Sequence, residues 1–127
     1  TYSLYPHGAS WRNGTLQQAH ELNNALIAAP VECHAGALPS VDAFASVDME
    51  NVIIDTVKRH EDSDAIIVRL YEAFGQRGDV ALTFGRMPVS VTECDLMEEN
   101  DVPVKRKGST VSFYMTPFEI RTFKVEF

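Results

Sequence analysis

The chain carries 18 acidic residues among 127, and Glu61, Asp62 and Asp64 cluster inside the run Lys58-Arg59-His60-Glu61-Asp62-Ser63-Asp64. Two carboxylates held at a fixed separation can divide acid and nucleophile duties, but only in a pocket that sets their proton affinities apart. A run this polar, between apolar segments, is a solvated turn and offers no such pocket. Asp62 or Asp64 is expected to bond its own backbone there as an Asx turn.

Metal chemistry would fall to His7, His20, His34, His60, Cys33 and Cys94. Zinc sites built from His and Cys show close ligand spacings, and this chain has no C-x-x-C. Cys33 and His34 are adjacent, so in an extended segment they point to opposite faces. Only one of the two can then meet His7 across space. The glycine-rich turn Phe74-Gly75-Gln76-Arg77-Gly78 is followed by strand-like sequence, which excludes a phosphate loop and points to a tight turn. No G-x-S-x-G or Cys/His nucleophile pattern occurs. The sequence therefore predicts no catalytic residue and no metal ligand.

Five further residues stand out as candidates for contact with a ligand or a neighbouring domain: Tyr5, His7, Trp11, Arg69 and Glu72. Tyr5 and Trp11 offer aromatic faces able to stack on a ring, with core or interdomain packing as the plainer role. His7 follows Pro6 in a loop. Period-2 alternation sends Arg69 and Tyr71 to one face of a strand, Leu70 and Glu72 to the other. A charge on a core-like strand demands a partner, either a cross-strand ion pair or a docked neighbouring domain.

The elements that position these residues are mostly strands. Val52, Ile53, Ile54 and Val57 precede the charged turn, and Ala65 to Val68, Leu70 and Tyr71 follow it, which is a hairpin pattern. Further strands are expected over Phe44 to Val47, Val80 to Phe84, Ser90 to Cys94, Thr110 to Met115 and Phe118 to Phe127, with Glu98 to Gly108 as a turn. Along the last strand Glu119, Arg121, Phe123, Val125 and Phe127 share a face. Neither of its faces is purely apolar, so uneven cover of the sheet is expected. Leu16, Ala19, Leu22, Ala25 and Leu26 recur at helical spacing, capped by Asn13 or Thr15. Residues 1–7 and Leu26 to Val31 read as strands on either side of that helix, the second interrupted by Pro30. Strands every 8 to 12 residues with such turns indicate an antiparallel β-sandwich. The fold class is thus mainly β, with one short helix near the N-terminus. Residues 1–37 form a strand-and-helix segment, and 38–127 form the sandwich proper, together one compact unit.

A net charge of −7, with Lys105-Arg106-Lys107 the one basic cluster, argues against nucleic acid, whose recognition rests on phosphate neutralisation. That triplet reads as a solvated turn. No run approaches a membrane span, and no leader is visible. Two unclustered cysteines suggest reduced thiols and a cytoplasmic location. Because the chain opens on Thr1 in strand-like sequence, it reads as a fragment.

The wording of several blocks is specific. VKRHEDSDAIIVRLYEAFGQRG, over residues 57–78, resembles the C-terminal β-domain of glycoside hydrolase family 38 α-mannosidases. YSLYPHGASWRNGTLQQAHELNNAL resembles that family's Y-x-L-x-PH-x-G-x-W segment and the helix after it. VECHAG, ECDLMEEN and TPFEIRTFKV follow in the family's order. The resemblance implies a parent enzyme with an N-terminal α/β catalytic domain, a helical bundle and C-terminal β-sandwiches. That parent uses one zinc ion, an Asp nucleophile and an acid/base carboxylate to hydrolyse terminal α-linked mannose with retention. No segment here matches the family's catalytic elements, so this piece is expected to be inactive alone. Its expected partners are the rest of the α-mannosidase chain, mannose-containing glycans through the parent, and a second copy at an oligomer interface, with neither nucleic acid nor membrane. The resemblance makes Tyr5, His7, Trp11, Arg69 and Glu72 the candidate carbohydrate or interdomain contacts. An alternative reading is an autonomous carbohydrate-binding module with an exposed aromatic platform.

Overall fold

The computed structural model describes residues 2–127, and the chain divides into two compact units, Thr1–Ala37 and Leu38–Phe127.

The first unit holds the one helix, α1 (Thr15–Asn23). The chain enters it through Gly14 at φ 84, with no side-chain cap, so neither Asn13 nor Thr15 caps it. It stops before Ala25 and Leu26, because the side-chain amides of Asn23 and Asn24 donate to the carbonyls of Ala19 and His20 at 2.8 and 3.2 Å. Such local bonding competes with helix continuation. The expected strands at residues 1–7 and Leu26–Val31 are not formed among the described residues, and neither segment enters a sheet. An extended run becomes a strand only where its N–H and C=O groups find a ladder, and both ladders are built from Ala45 onward. No residue from 2 to 37 is buried.

The second unit is the sandwich. Its strands are β1 (Ala45–Val47), β2 (Val52–Arg59), β3 (Ile66–Glu72), β4 (Gly78–Phe84), β5 (Ser90–Cys94), β6 (Val102–Pro103), β7 (Arg106–Lys107), β8 (Thr110–Met115) and β9 (Ile120–Glu126). One sheet has the order β1-β4-β8-β7 and the other β2-β3-β9-β5-β6, with every pairing antiparallel. The molecule is therefore mainly β with one short helix, as its patterning predicts.

The stretch Glu98 to Gly108, expected to be a turn, contains two short strands. β6 belongs to the five-stranded sheet and β7 to the four-stranded one, so the chain crosses between sheets here. Two-residue edge strands carry no periodic pattern to read. Lys105, Arg106 and Lys107 are exposed as expected.

Alternation decides what fills the core. Val80, Leu82 and Phe84 of β4 and Val111 and Met115 of β8 meet Val52, Val68, Leu70, Val91, Phe123 and Val125 of the facing sheet. Full burial of each such side chain contributes roughly 1.5–3 kcal/mol. A bulge between Ile54 and Thr56 resets the phase of β2. Val52 and Ile54 point inward before it, and Val57 shares their face after it, opposite Val68. The outer face of the five-stranded sheet is unevenly covered: Ile67 and Thr122 lie on it, yet both are buried.

Candidate functional site

Glu72 ends β3 on the inner face and is 2% exposed. One carboxylate oxygen accepts from the Asn51 amide at 2.9 Å and the Phe74 N–H at 2.8 Å. The other accepts from the N–H groups of Gly75 at 2.8 Å and Phe118 at 3.0 Å. Successive N–H groups turned toward one point form an anion nest. Burial by itself raises this carboxyl, but the Phe118 N–H, the Asn51 amide and the N–H groups of Gln76 and Phe74 outweigh it and hold it at about 2. The group is thus ionised, enclosed and saturated with donors. It has neither a proton to give near neutral pH nor access to a substrate. What it does is tie the β3–β4 turn to the β8–β9 turn.

Two features of the backbone complete this clasp. Gly75 sits at φ 71, and a Cβ there would lie 2.9 Å from the Phe118 ring. Phe118 itself adopts φ 58, a rare conformation for a bulky residue. The adjacent Glu119 carboxylate accepts from the Thr116 N–H at 2.6 Å and its hydroxyl at 2.8 Å, closing the turn.

Arg69 projects from the opposite face of β3, so it shares no site with Glu72. Its Nε donates to the Thr122 hydroxyl at 3.1 Å and its Nη2 to the Leu96 carbonyl at 3.1 Å. Glu98 lies 3.6 Å from Arg69 and 2.7 Å from Lys58. Of the two partners expected for these charges, the cross-strand ion pair is not formed: neutral donors meet Glu72, and an overlying loop meets Arg69. That loop, residues 95–101, is organised by Asp95, which accepts from the N–H groups of Met97 and Glu99 and from the Asn100 amide. The Glu99 N–H, then the Asn100 amide, lower the Asp95 carboxyl from its ordinary value. Residues 95–101 are thereby held over the Arg69 and Lys58 end of this face. Burial raises the Cys94 thiol beneath them, with the Asp101 charge adding to it.

Between this loop and the β2–β3 turn lies an open cavity of 520 Å³ lined by Glu61, Asp62, Glu98, Glu99, Asp101 and Lys124. The turn itself is held by His60, whose Nδ1 accepts from the Asp62 N–H at 3.1 Å, while Asp64 pairs with Arg59. His60 thus takes the role anticipated for Asp62 or Asp64. Among the described residues no three His, Cys, Asp or Glu side chains converge to hold a metal. Both cysteines are free, Cys33 exposed and Cys94 buried.

The other candidates lie in the first unit. The Tyr5 and His7 rings stack at 6.4 Å between centroids, and His7 Nδ1 is 2.9 Å from the Gly8 carbonyl oxygen. Tyr5 also lines a 420 Å³ hollow with Thr15, Gln18, Ala19 and Leu22 of α1. Trp11 is half-exposed, with the Arg12 guanidinium 5.9 Å from its ring centre.

Asn51, Phe118, Asp95 and Glu98 are absent from the sequence-derived candidates. For the Glu72 clasp the one legible signal is Gly75, which marks a turn able to aim N–H groups back at the strand end; Asp95 and Glu98 have none.

The match to known proteins spans this architecture. Residues 51–123 match the glycosyl hydrolases family 38 C-terminal beta sandwich domain, a span that contains Asn51, Glu72 and Phe118. Alpha-mannosidase G of Dictyostelium discoideum is 31% identical over 98% of this chain. Alpha-mannosidase 2C1 of Homo sapiens is 33% identical over 94% of it. In both cases the chain spans 12% of the relative's length. By its sandwich, its ordered sequence blocks and this match, the chain belongs to the glycoside hydrolase family 38 C-terminal β-sandwich domains.

Proposed function

We propose that this chain is the non-catalytic C-terminal β-domain of a zinc-dependent, retaining α-mannosidase that hydrolyses terminal α-linked mannose, and that its work is to brace the catalytic part. The observation that carries the reading is the family match across residues 51–123. The local chemistry is consistent with it. Glu72 is enclosed by four donors, Glu93 is paired with Arg121, and Glu98 is engaged by Lys58 and Arg69. The described residues supply no converging ligand set for zinc. The metal and the retaining chemistry are assigned, from the family resemblance, to the parent's catalytic portion.

The test compares this chain with its full-length parent on an aryl α-mannoside. The parent is expected to turn the substrate over, with loss of activity on chelation and an α-configured first product. This chain alone is expected to give no turnover. Chelator-sensitive hydrolysis by the chain alone, or an inactive parent, defeats the proposal.

A further inference from the structure

Phe118 is held in the left-handed region at φ 58, yet its side chain is 71% exposed. That conformation is costly for a bulky residue and persists only where the surroundings over-determine it. Here they do. Glu72 accepts the Phe118 N–H, the ring rests where Gly75 lacks a Cβ, and Glu119 ties back Thr116. A buried carboxylate and a positive-φ glycine therefore serve to present an aromatic ring to solvent. For the turn alone glycine at 118 would suffice.

The strand that leaves this turn extends the surface. Register places Ile53 beside Tyr71, and Tyr71 beside Ile120, across three neighbouring strands. All three point to the outer face of the five-stranded sheet, the face shared with Arg69. Farther along that face residues 95–101 cover the sheet through Arg69 and Lys58. The Ile53–Tyr71–Ile120 row lies at the other end, and Ile120 is half-exposed. An aromatic anchor beside a row of two isoleucines and a tyrosine is the composition of an interface centre.

We infer that this end of the sandwich, with Phe118 as its anchor and Ile53, Tyr71 and Ile120 beside it, is the face on which the domain docks the preceding part of its α-mannosidase chain. The occupant follows from length and position. The matched family is a C-terminal domain, and the chain spans 12% of its relatives, so the greater part of such an enzyme precedes it. The inference rests on the parentage proposed above.

Hydroxyl-radical footprinting of the full-length enzyme tests it, with Met97, which is 78% exposed and carried on the 95–101 loop, as an internal control. In the native enzyme Phe118 and Ile120 are expected to oxidise several-fold more slowly than in the denatured one, while Met97 stays reactive. A native Phe118 as reactive as the denatured one overturns the docking face. So does protection that vanishes on dilution to the monomer, which assigns the face to a second copy. The full-length Phe118→Gly variant supplies a sign. Glycine relieves the φ strain, so an unchanged or raised melting temperature with intact Ile120 protection overturns the inference. A lowered melting temperature with loss of that protection supports it. Aryl α-mannoside turnover by the same preparation separately checks the parentage, so a failure there is distinguishable from a failure of the docking face.

Discussion

Glu72 shows how one side chain gains its character from groups that its own neighbourhood in sequence does not name. Its closest donors are the N–H groups of Phe74, Gly75 and Phe118 and the Asn51 amide, with the Gln76 N–H also turned toward it. Hydrogen bonds to a charged group contribute more than neutral ones, so Glu72→Gln is expected to cost about 2–3 kcal/mol in denaturant unfolding of this chain. The pH response has a fixed sign. The folded carboxyl is held at about 2 against an ordinary 4.5. Its contribution is fully present above pH 4.5 and is lost as pH falls through the window from 4.5 toward 2. That displacement corresponds to about 3 kcal/mol of stability. Unfolding midpoints measured across that window are expected to drop in the native sequence and to flatten in Glu72→Gln. A parallel drop in both would assign the effect to other carboxylates. The sequence singled out Glu72 as a charge in need of a partner. It did not point to Asn51 or Phe118, which lie 21 and 46 residues away along the chain.

At the scale of elements, the strand faces were legible and their ends were not. Val80, Leu82 and Phe84 alternate inward as their spacing requires. Leu82→Ala removes a fully buried side chain from the middle of the core and is expected to cost roughly 2–5 kcal/mol in urea or thermal unfolding. A loss under 1 kcal/mol, roughly, would mean the site collapses without a cavity. Gly85, just after β4, is a different case. An added Cβ there would drive into the Ala43 carbonyl oxygen, a backbone atom with little room to yield, whereas at Gly36 it would meet nothing within 4 Å. Gly85→Ala is therefore expected to lower the melting temperature clearly and Gly36→Ala to leave it in place. The bulge in β2 and the crossover through β6 and β7 were beyond reach of patterning. Each depends on which strand lies alongside, and two-residue ladders leave no period in the sequence.

The whole molecule joins two segments of unlike character. Residues 38–127 contain every buried residue among those described, and residues 2–37 contain none. A nine-residue helix without tertiary burial is marginal in water. Limited proteolysis of this chain is expected to cut first between residues 24 and 43, where the backbone is unladdered and exposed, and to leave a resistant product close to 38–127. Early cuts inside β3 or β9 would contradict that order. For comparison, no helix among the described residues is long and apolar enough to cross a membrane.

Side-chain periodicity is carried along the chain itself, so the sequence alone determined the β character, the β2–β3 hairpin, the stripe of α1 and the two faces of β3. Its ordered blocks also pointed to the family that the comparison then showed. Tertiary structure decided which extended runs become strands, because a ladder is a relation between backbones. Tyr2–Tyr5 and Leu26–Val31 have suitable side chains and no ladder, while Val102–Pro103 and Arg106–Lys107 have a ladder and no pattern. It likewise decided that Glu72 is a clasp and Arg69 the underside of a covered face. The groups that fix those roles are peptide N–H and C=O atoms, identical at every position until the fold aims them.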